Sequence, residues 1–349
     1  MGQHWKDIWR GFFSSEPRIA EGRREQLWEE IARSVRRERQ REYRRLFLKW
    51  AAVFVALLAA VAVLYVHLVE DLEEERFWAT LQEEVGDQEF IALDLGQEEQ
   101  LTFEEREKYF DFSGDAAEGS AEEAKPLGKA QNHVLTVPYG RRATVKLADG
   151  SKVWLNAGSR LVYPSHFEEG QRKVYLSGEA FFEVVADASR PFRVEMEDTA
   201  VDVLGTAFNV RAYPDEQRNT TVLVHGSVRL AAKARRGEVE SLTLNPSQLA
   251  VHQKGETELR VKSVDTAPYL SWKDGYMMYR KTNFTRLSKD LKRYYNVEIQ
   301  FSEPNLALET ISGRLDLRQD IEEVLHFVTA ASDLNYKRIG TRKVLIYRA

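Results

Sequence analysis

Apolar residues recur along the chain with several different periods, and each period predicts a different element. Within residues 1–49, Trp5, Ile8, Trp9, Phe12 and Phe13 fall at helical spacing, and Leu27, Ile31 and Val35 do so again with Trp28 beside them. Two short amphipathic helices are expected there. From Trp50 to Val69 the alternation stops: WAAVFVALLAAVAVLYVHLV contains no Asp, Glu, Lys or Arg, and about 20 apolar residues cross a hydrocarbon core of roughly 30 Å. Leu68, Leu72, Trp78, Leu81 and Val85 then continue at helical spacing until Gly86 and Asp87. Residues 70–132 are read as this acidic helix followed by a linker. The stretches LGQEEQLTFEEREKYFDF and SGDAAEGSAEEAKPLGKAQN are poor in apolar side chains and self-repelling, which leaves little to offset the entropy of ordering.

From His133 the period shortens to two. Runs such as RATVKLADGSKVWLN, RKVYLSGEAFFEVVA and TTVLVHGSVRLAA are bounded by Asp149-Gly150, Asn156-Ala157-Gly158, Ser177-Gly178 and His225-Gly226. Many short strands with turn residues between them predict an all-β sandwich, roll or barrel over 133–265. Its inner faces should carry Val145, Leu147, Val153, Leu155, Val174, Leu176, Phe181, Val184, Val201, Val203, Phe208 and Val210. Over 275–349 the pattern mixes again: YMMYRK as a strand, Thr282 or Asn283 capping a helix with Phe284, Leu287, Leu291 and Tyr294 inward, and Asp320 capping a second with Ile321, Val324, Leu325 and Val328 inward. NVEIQF, LETISGRLDL, LNYKRIG and KVLIYRA supply strands, the last two joined at Gly340-Thr341. The fold class expected is a multidomain membrane protein with short N-terminal helices, one transmembrane helix, an all-β domain and a C-terminal α+β (β-α-β-β-α-β-β) domain.

Charge changes this picture by giving it a direction. The formal net charge is −5, but residues 1–49 are dominated by Arg and Lys, and Glu70 to Glu123 is almost entirely acidic among its charges. Arg44, Arg45 and Lys49 precede the apolar span and Glu70, Asp71, Glu73, Glu74 and Glu75 follow it. The positive-inside rule then puts the N-terminus in the cytoplasm and the rest across the membrane. A cleaved signal peptide is the rival reading, disfavoured by the long charged segment ahead of the span. Residues 1–49 are open to two readings: a charged collar whose aromatics touch lipid, or a helical hairpin covered by a protein partner. Their arginines are better matched to anionic lipid than to nucleic acid.

Little in the composition points to catalysis. The chain has no cysteine, which excludes disulfides, thiolate metal sites and a cysteine nucleophile, and leaves the redox compartment open. Its seven histidines, His4, His67, His133, His166, His225, His252 and His326, are scattered without metal-ligand spacing. Gly158-Ser159 and Gly226-Ser227 read as turns, and no P-loop, dinucleotide or nucleophile-elbow motif occurs. No cofactor or metal is expected. Trp154, Tyr163 and Trp272 could stack sugars if exposed, so a membrane-tethered carbohydrate-binding module or scaffold is the alternative to a signalling role.

The blocks L-x-D-G-S-x-V-x-L-N, L-x-G-E-A-F-F-E-V, P-F-x-V and V-L-G-T-x-F-N-V, running from Thr136 to Leu230, closely resemble the FecR family of transmembrane anti-sigma regulators. The segments LSKDLKRYYNVEIQF, ISGRLDL and IEEVLHFVTAASDLNY are similar to the secretin/TonB short N-terminal-like domain that ends FecR proteins of the Bacteroidetes type. The resemblance implies a single-pass inner-membrane protein with its C-terminus in the periplasm. Such a protein relays a signal from an outer-membrane TonB-dependent transporter to a cytoplasmic extracytoplasmic-function sigma factor. On that reading Trp5, Trp9 and Trp28 would face the sigma factor. Edge-strand pairing near Val344, Ile346 and Tyr347 would receive the transporter's signalling domain. The family's anti-sigma domains are commonly longer helical bundles than the residues 1–49 found here.

VDVLGTAFNV places Gly205-Thr206 in the middle of an alternating strand pattern. A bulge or sharp turn is one explanation and close packing against a neighbouring strand is another. The resemblance supplies a third, because some FecR-like regulators cleave themselves at a Gly-Thr bond by an N-to-O acyl shift.

Overall fold

The computed structural model describes residues 29–30, 33–34, 47–51, 53–65, 76–81, 85, 88–96, 99–113, 131–233 and 239–348. The chain divides into two units, Met1–Arg76 and Phe77–Ala349. In the first, a helix over Phe47–Tyr65 is long and apolar enough to cross a membrane, and none of it is buried against protein. At 1.5 Å per residue its 19 residues span about 28 Å. Trp5, Trp9 and Trp28 lie outside the described residues.

The second unit begins with strands. β1 (Ile91–Asp94), β2 (Gln100–Phe103) and β3 (Glu107–Asp111) precede β4 (Asn132–Val137), β5 (Arg142–Lys146), β6 (Lys152–Leu155) and β7 (Ser159–Pro164). Then follow β8 (Arg172–Glu183), β9 (Phe192–Glu195), β10 (Thr199–Val203), β11 (Ala207–Ala212), β12 (Arg218–His225), β13 (Val228–Lys233), β14 (Val239–Leu244), β15 (Gln248–Gln253) and β16 (Leu259–Ser263). The reading of 70–132 as helix and linker is therefore corrected over Ile91–Asp111. β1 pairs antiparallel with β4 and β3 pairs parallel with β5, and Ile91, Leu93 and Phe110 join the core. Asp94, Glu99, Glu104, Glu105 and Glu107 are exposed in and between these strands, so the charge density of the stretch concealed its period. The segment Arg76–Leu81 is helical, and Trp78 and Leu81 pack on Val162.

These strands build two facing sheets that share β8. Its first half pairs with β7 and β9, and its second half with β6 and β11. Gly178 makes the transfer. Its φ is +109°, and a Cβ there would lie 2.4 Å from Ser159 Oγ and 2.6 Å from Ser159 Cα, so only glycine fits. Between the sheets lie Val145, Val153, Leu155, Val174, Leu176, Phe182, Val201, Phe208, Val210 and Leu230, all buried. Phe181, expected on that inner face, is buried on the opposite one, against Trp154.

The C-terminal part runs β17 (Tyr276–Asn283), α1 (Phe284–Tyr295), β18 (Glu298–Phe301), β19 (Thr310–Asp316), α2 (Ile321–Ala330), β20 (Leu334–Gly340) and β21 (Lys343–Arg348). Asn283 caps α1 by accepting from the Arg286 N–H at 2.9 Å, and Asp320 caps α2 by accepting from the Glu323 N–H at 2.8 Å. β17 pairs with β19, and a separate sheet has the order β18-β21-β20. The expectation of an edge at Val344–Tyr347 is overturned by this order. β21 is the central strand, parallel to β18 on one side and antiparallel to β20 on the other, and Val344 and Ile346 are 1% exposed. A closing hairpin looks like an edge in sequence, but the crossover from β18 brings that strand to the free side of β21. The edges are Glu298–Phe301 and Leu334–Gly340.

Candidate functional site

Gly205 and Thr206 occupy the connection between β10, which pairs with β9 and β13 in one sheet, and β11, which pairs with β8 and β12 in the other. The glycine is outside the left-handed region. Its need is for space: a Cβ would fall 2.6 Å from both Cα and Cβ of Ala186. The register between β11 and β12 also shifts between Ala207 and Phe208. The interruption is thus a corner between sheets with close backbone packing, which accounts for it without any chemistry. Thr206 is 4% exposed, and its hydroxyl donates to the Ser227 carbonyl at 3.0 Å. Gly226, at φ +92°, leaves room for it, since a Cβ there would lie 2.8 Å from Thr206 Oγ1.

Beyond the corner, β11 alternates. Phe208 and Val210 enter the sandwich core, and Asn209 and Arg211 emerge on the opposite face, where the C-terminal part docks. Arg211 is the hub of that junction. Its guanidinium donates to Glu216 at 2.5 and 2.9 Å, to Glu179 at 2.9 Å and to Asp290 of α1 at 2.6 Å. Arg293, also on α1, donates to Glu216 at 2.7 Å and Asp215 at 2.5 Å, and Arg286 donates to Asp290 at 3.1 Å. Lys289 reaches Asp215 at 3.1 Å, so the four cations of this cluster face four carboxylates. Glu179 further accepts from Asn156 at 2.9 Å and Asn209 at 3.2 Å, and Asn209 accepts from the Trp272 indole at 3.2 Å. Tyr213 lies beneath both Arg211 and Arg293, with its hydroxyl donating to the Ala157 carbonyl at 2.8 Å.

Burying such charges costs several kcal/mol per ion unless each is paired and its remaining hydrogen bonds are met. Here they are met from both sides. Burial alone would raise the Glu216 carboxyl, but the charge and hydrogen bonds of Arg211, with Arg286 and Arg293, outweigh it and hold that group well below the usual carboxylate range. Asp290 is buried too and is lowered by Arg211 and Arg286 against the same penalty. Glu216 and Asp290 stay ionised, and the cluster suits positional locking more than proton transfer.

Of the aromatic side chains considered for sugar stacking, Tyr163 and Trp272 are buried, at 1% and 4% exposure, and Trp154 lies half-buried beneath Lys273. His133 and His252 are buried and His225 and His326 exposed, and no cluster of metal-ligating side chains occurs among the described residues. None of the junction charges was singled out from sequence. The available signal was Glu179 within LSGEAFFEV and Arg211 within FNVRAY, each a charge inside an apolar run.

Two family models match the chain, FecR protein over residues 133–229 and FecR, C-terminal over residues 276–346. The chain carries both FecR regions. Two crystal structures, at 1.65 and 2.50 Å, of a protein from Parabacteroides distasonis ATCC 8503 assigned as an anti-sigma factor are similar to it. Each is 28% identical, with a TM-score of 0.56, over 62% of this chain and 99% of that one. No curated protein matches the chain. The FecR match contains the Gly178 transfer, the Gly205-Thr206 corner, Glu179, Arg211 and Glu216, and the FecR C-terminal match contains Asp290 and Arg293. The buried cluster is therefore the contact between the two FecR regions.

Proposed function

We propose that this chain is a FecR-family single-pass inner-membrane anti-sigma regulator, with residues 1–49 in the cytoplasm and the β-rich unit in the periplasm. It relays a signal from an outer-membrane TonB-dependent transporter to an extracytoplasmic-function sigma factor. The observation that carries this reading is the pair of FecR matches following an apolar helix at Phe47–Tyr65, in a chain similar to an assigned anti-sigma factor. The charge asymmetry across the span supports the orientation. The action is protein contact, without turnover of a substrate. Trp5, Trp9 and Trp28 are the residues assigned to the sigma factor. For the transporter's signalling domain, strand addition is assigned to the edges at Glu298–Phe301 or Leu334–Gly340. Affinity capture tests the central link: residues 1–49, or the full chain, should retain a sigma factor from the native cell. Retention by neither would overturn the anti-sigma reading.

The bond between Gly205 and Thr206 is assigned to self-cleavage on the same reading. Thr206 Oγ1 attacks the Gly205 carbonyl carbon, its proton passes to the amide nitrogen, and the C–N bond breaks to leave an ester and a free Thr206 amine. Water then hydrolyses the ester to the Gly205 carboxylate and restores the Thr206 hydroxyl. The buried hydroxyl beside a glycine supports this chemistry. Two fragments meeting at Gly205/Thr206 are expected by mass spectrometry for the natural chain and for Thr206→Ser, and none for Thr206→Ala. An intact natural chain would leave the corner purely structural.

A further inference from the structure

Strand β11 belongs to two features at once. Its N-terminal end leaves the Leu204–Thr206 corner, and its middle carries the anchors of the docked C-terminal part and of the helical turn Ser271–Asp274 that leads into it, Asn209 to Trp272 at 3.2 Å and Arg211 to Asp290 at 2.6 Å. Every residue from Phe208 to Ala212 is buried. The strand is hydrogen-bonded on both edges, to β8 and β12, and packed on both faces. A segment held in this way moves as a unit. From Thr206 to Arg211 is about 17 Å of extended backbone.

At the corner end of this unit Gly205 and Thr206 are packed, and Leu204 faces solvent. Leu204 is 49% exposed. The corner is held by the Asp187 N–H donating to the Leu204 carbonyl at 2.7 Å, the Val184 N–H donating to the Thr206 carbonyl at 3.0 Å, and the Thr206 hydroxyl on Ser227. Segments with exposed side chains and few backbone bonds are where local opening is least costly.

We propose that β11 couples docking of the C-terminal part to the order of the Leu204–Thr206 corner, so that release of Asp290 or Trp272 from the strand loosens the corner. Coupling of this kind is reciprocal, so a chain cut at the corner holds its C-terminal part less firmly. The proposal goes beyond the signalling reading and needs neither the sigma factor, the transporter nor the cleavage to be correct.

Hydrogen exchange of the full chain in detergent micelles, read by mass spectrometry, tests it with Asp290→Asn, a substitution on α1 and far along the sequence from the corner. The amides of Val184 and Asp187 should exchange about tenfold faster, the scale of one weakened charge-assisted hydrogen bond. The Met196 amide, which donates to the Thr199 carbonyl at 2.9 Å at the opposite end of β10, should keep its rate. Should Asp290→Asn fail to fold, Trp272→Phe removes the indole donor to Asn209 together with part of the buried ring, and the same selectivity is expected with an increase of about threefold. Unchanged exchange at Val184 and Asp187, or equal acceleration at Met196, overturns the proposal.

Discussion

Replacing Arg211 by methionine keeps an unbranched apolar stem and removes the charged hub of the junction. The Arg211 side chain is 6% exposed and touches Glu179, Glu216 and Asp290. Removing one partner from a buried ion pair costs about 3–5 kcal/mol, because the other charge is left without compensation. Compensation here is partial: Arg293 remains on Glu216, Arg286 on Asp290, and Asn156 and Asn209 on Glu179. The expected loss is therefore near the low end, about 3 kcal/mol. Urea titration of the full chain in detergent, followed by tryptophan fluorescence, should show it, since Trp272 is buried beside the cluster. For a slope near 3 kcal/mol per molar urea, the midpoint falls by about 1 M. Adding Asp290→Leu to Arg211→Met removes an opposing charge and should recover part of the loss. A single-variant midpoint within about 0.2 M of the natural chain would refute charge compensation as what holds the junction.

Acid should act on the same cluster. Glu216 and Asp290 are depressed in the folded chain. Their contribution is fully present above the unfolded carboxylate value of about 4 and is lost as pH falls below it, so the urea midpoint should be flat from about pH 7 to 5 and fall steeply below pH 4. Gly178→Ala places a methyl against Ser159 at a positive φ and should cost at least about 2 kcal/mol by thermal or urea unfolding, where a loss under about 0.5 kcal/mol would contradict the strand-transfer argument. Asp320→Ala removes the cap of α2 and should cost about 1 kcal/mol, with Asp320→Asn recovering most of it in the same assay.

The parts of the fold that depend on local pattern were legible in the sequence. The two capping residues, the inward stripes Phe284/Leu287/Leu291 and Val324/Leu325/Val328, and the alternating core of the sandwich all follow from periods of 3.6 and 2 acting within a few residues. Two kinds of element were not. Strands β2 and β3 alternate and β1 brings in Ile91 and Leu93, but the acids and glutamines in and between these strands are so dense that composition outweighs period. The central position of β21 follows from which strand the crossover brings beside it, and that pairing joins Glu298 to Lys343 across a helix and two strands.

The junction was invisible for a different reason, and that reason bears on how such a regulator is built. Arg211 meets Glu179 across 32 positions and Asp290 across 79, so no spacing rule relates them. Each alone resembles a polar residue on a solvated strand or helix face, the commonest fate of a charge. What distinguishes them is the strand that carries them. In TAFNVRAY both parities of β11 are buried, one by the sandwich and one by the docked C-terminal part. An apolar second face would have packed at lower cost, since balanced buried ions are at best neutral beside a hydrophobic replacement. A balanced ion cluster instead fixes one register between the two regions while keeping a surface that water can solvate if they part. That combination suits a contact that can open and close again, and the contact sits on the strand that follows Gly205-Thr206.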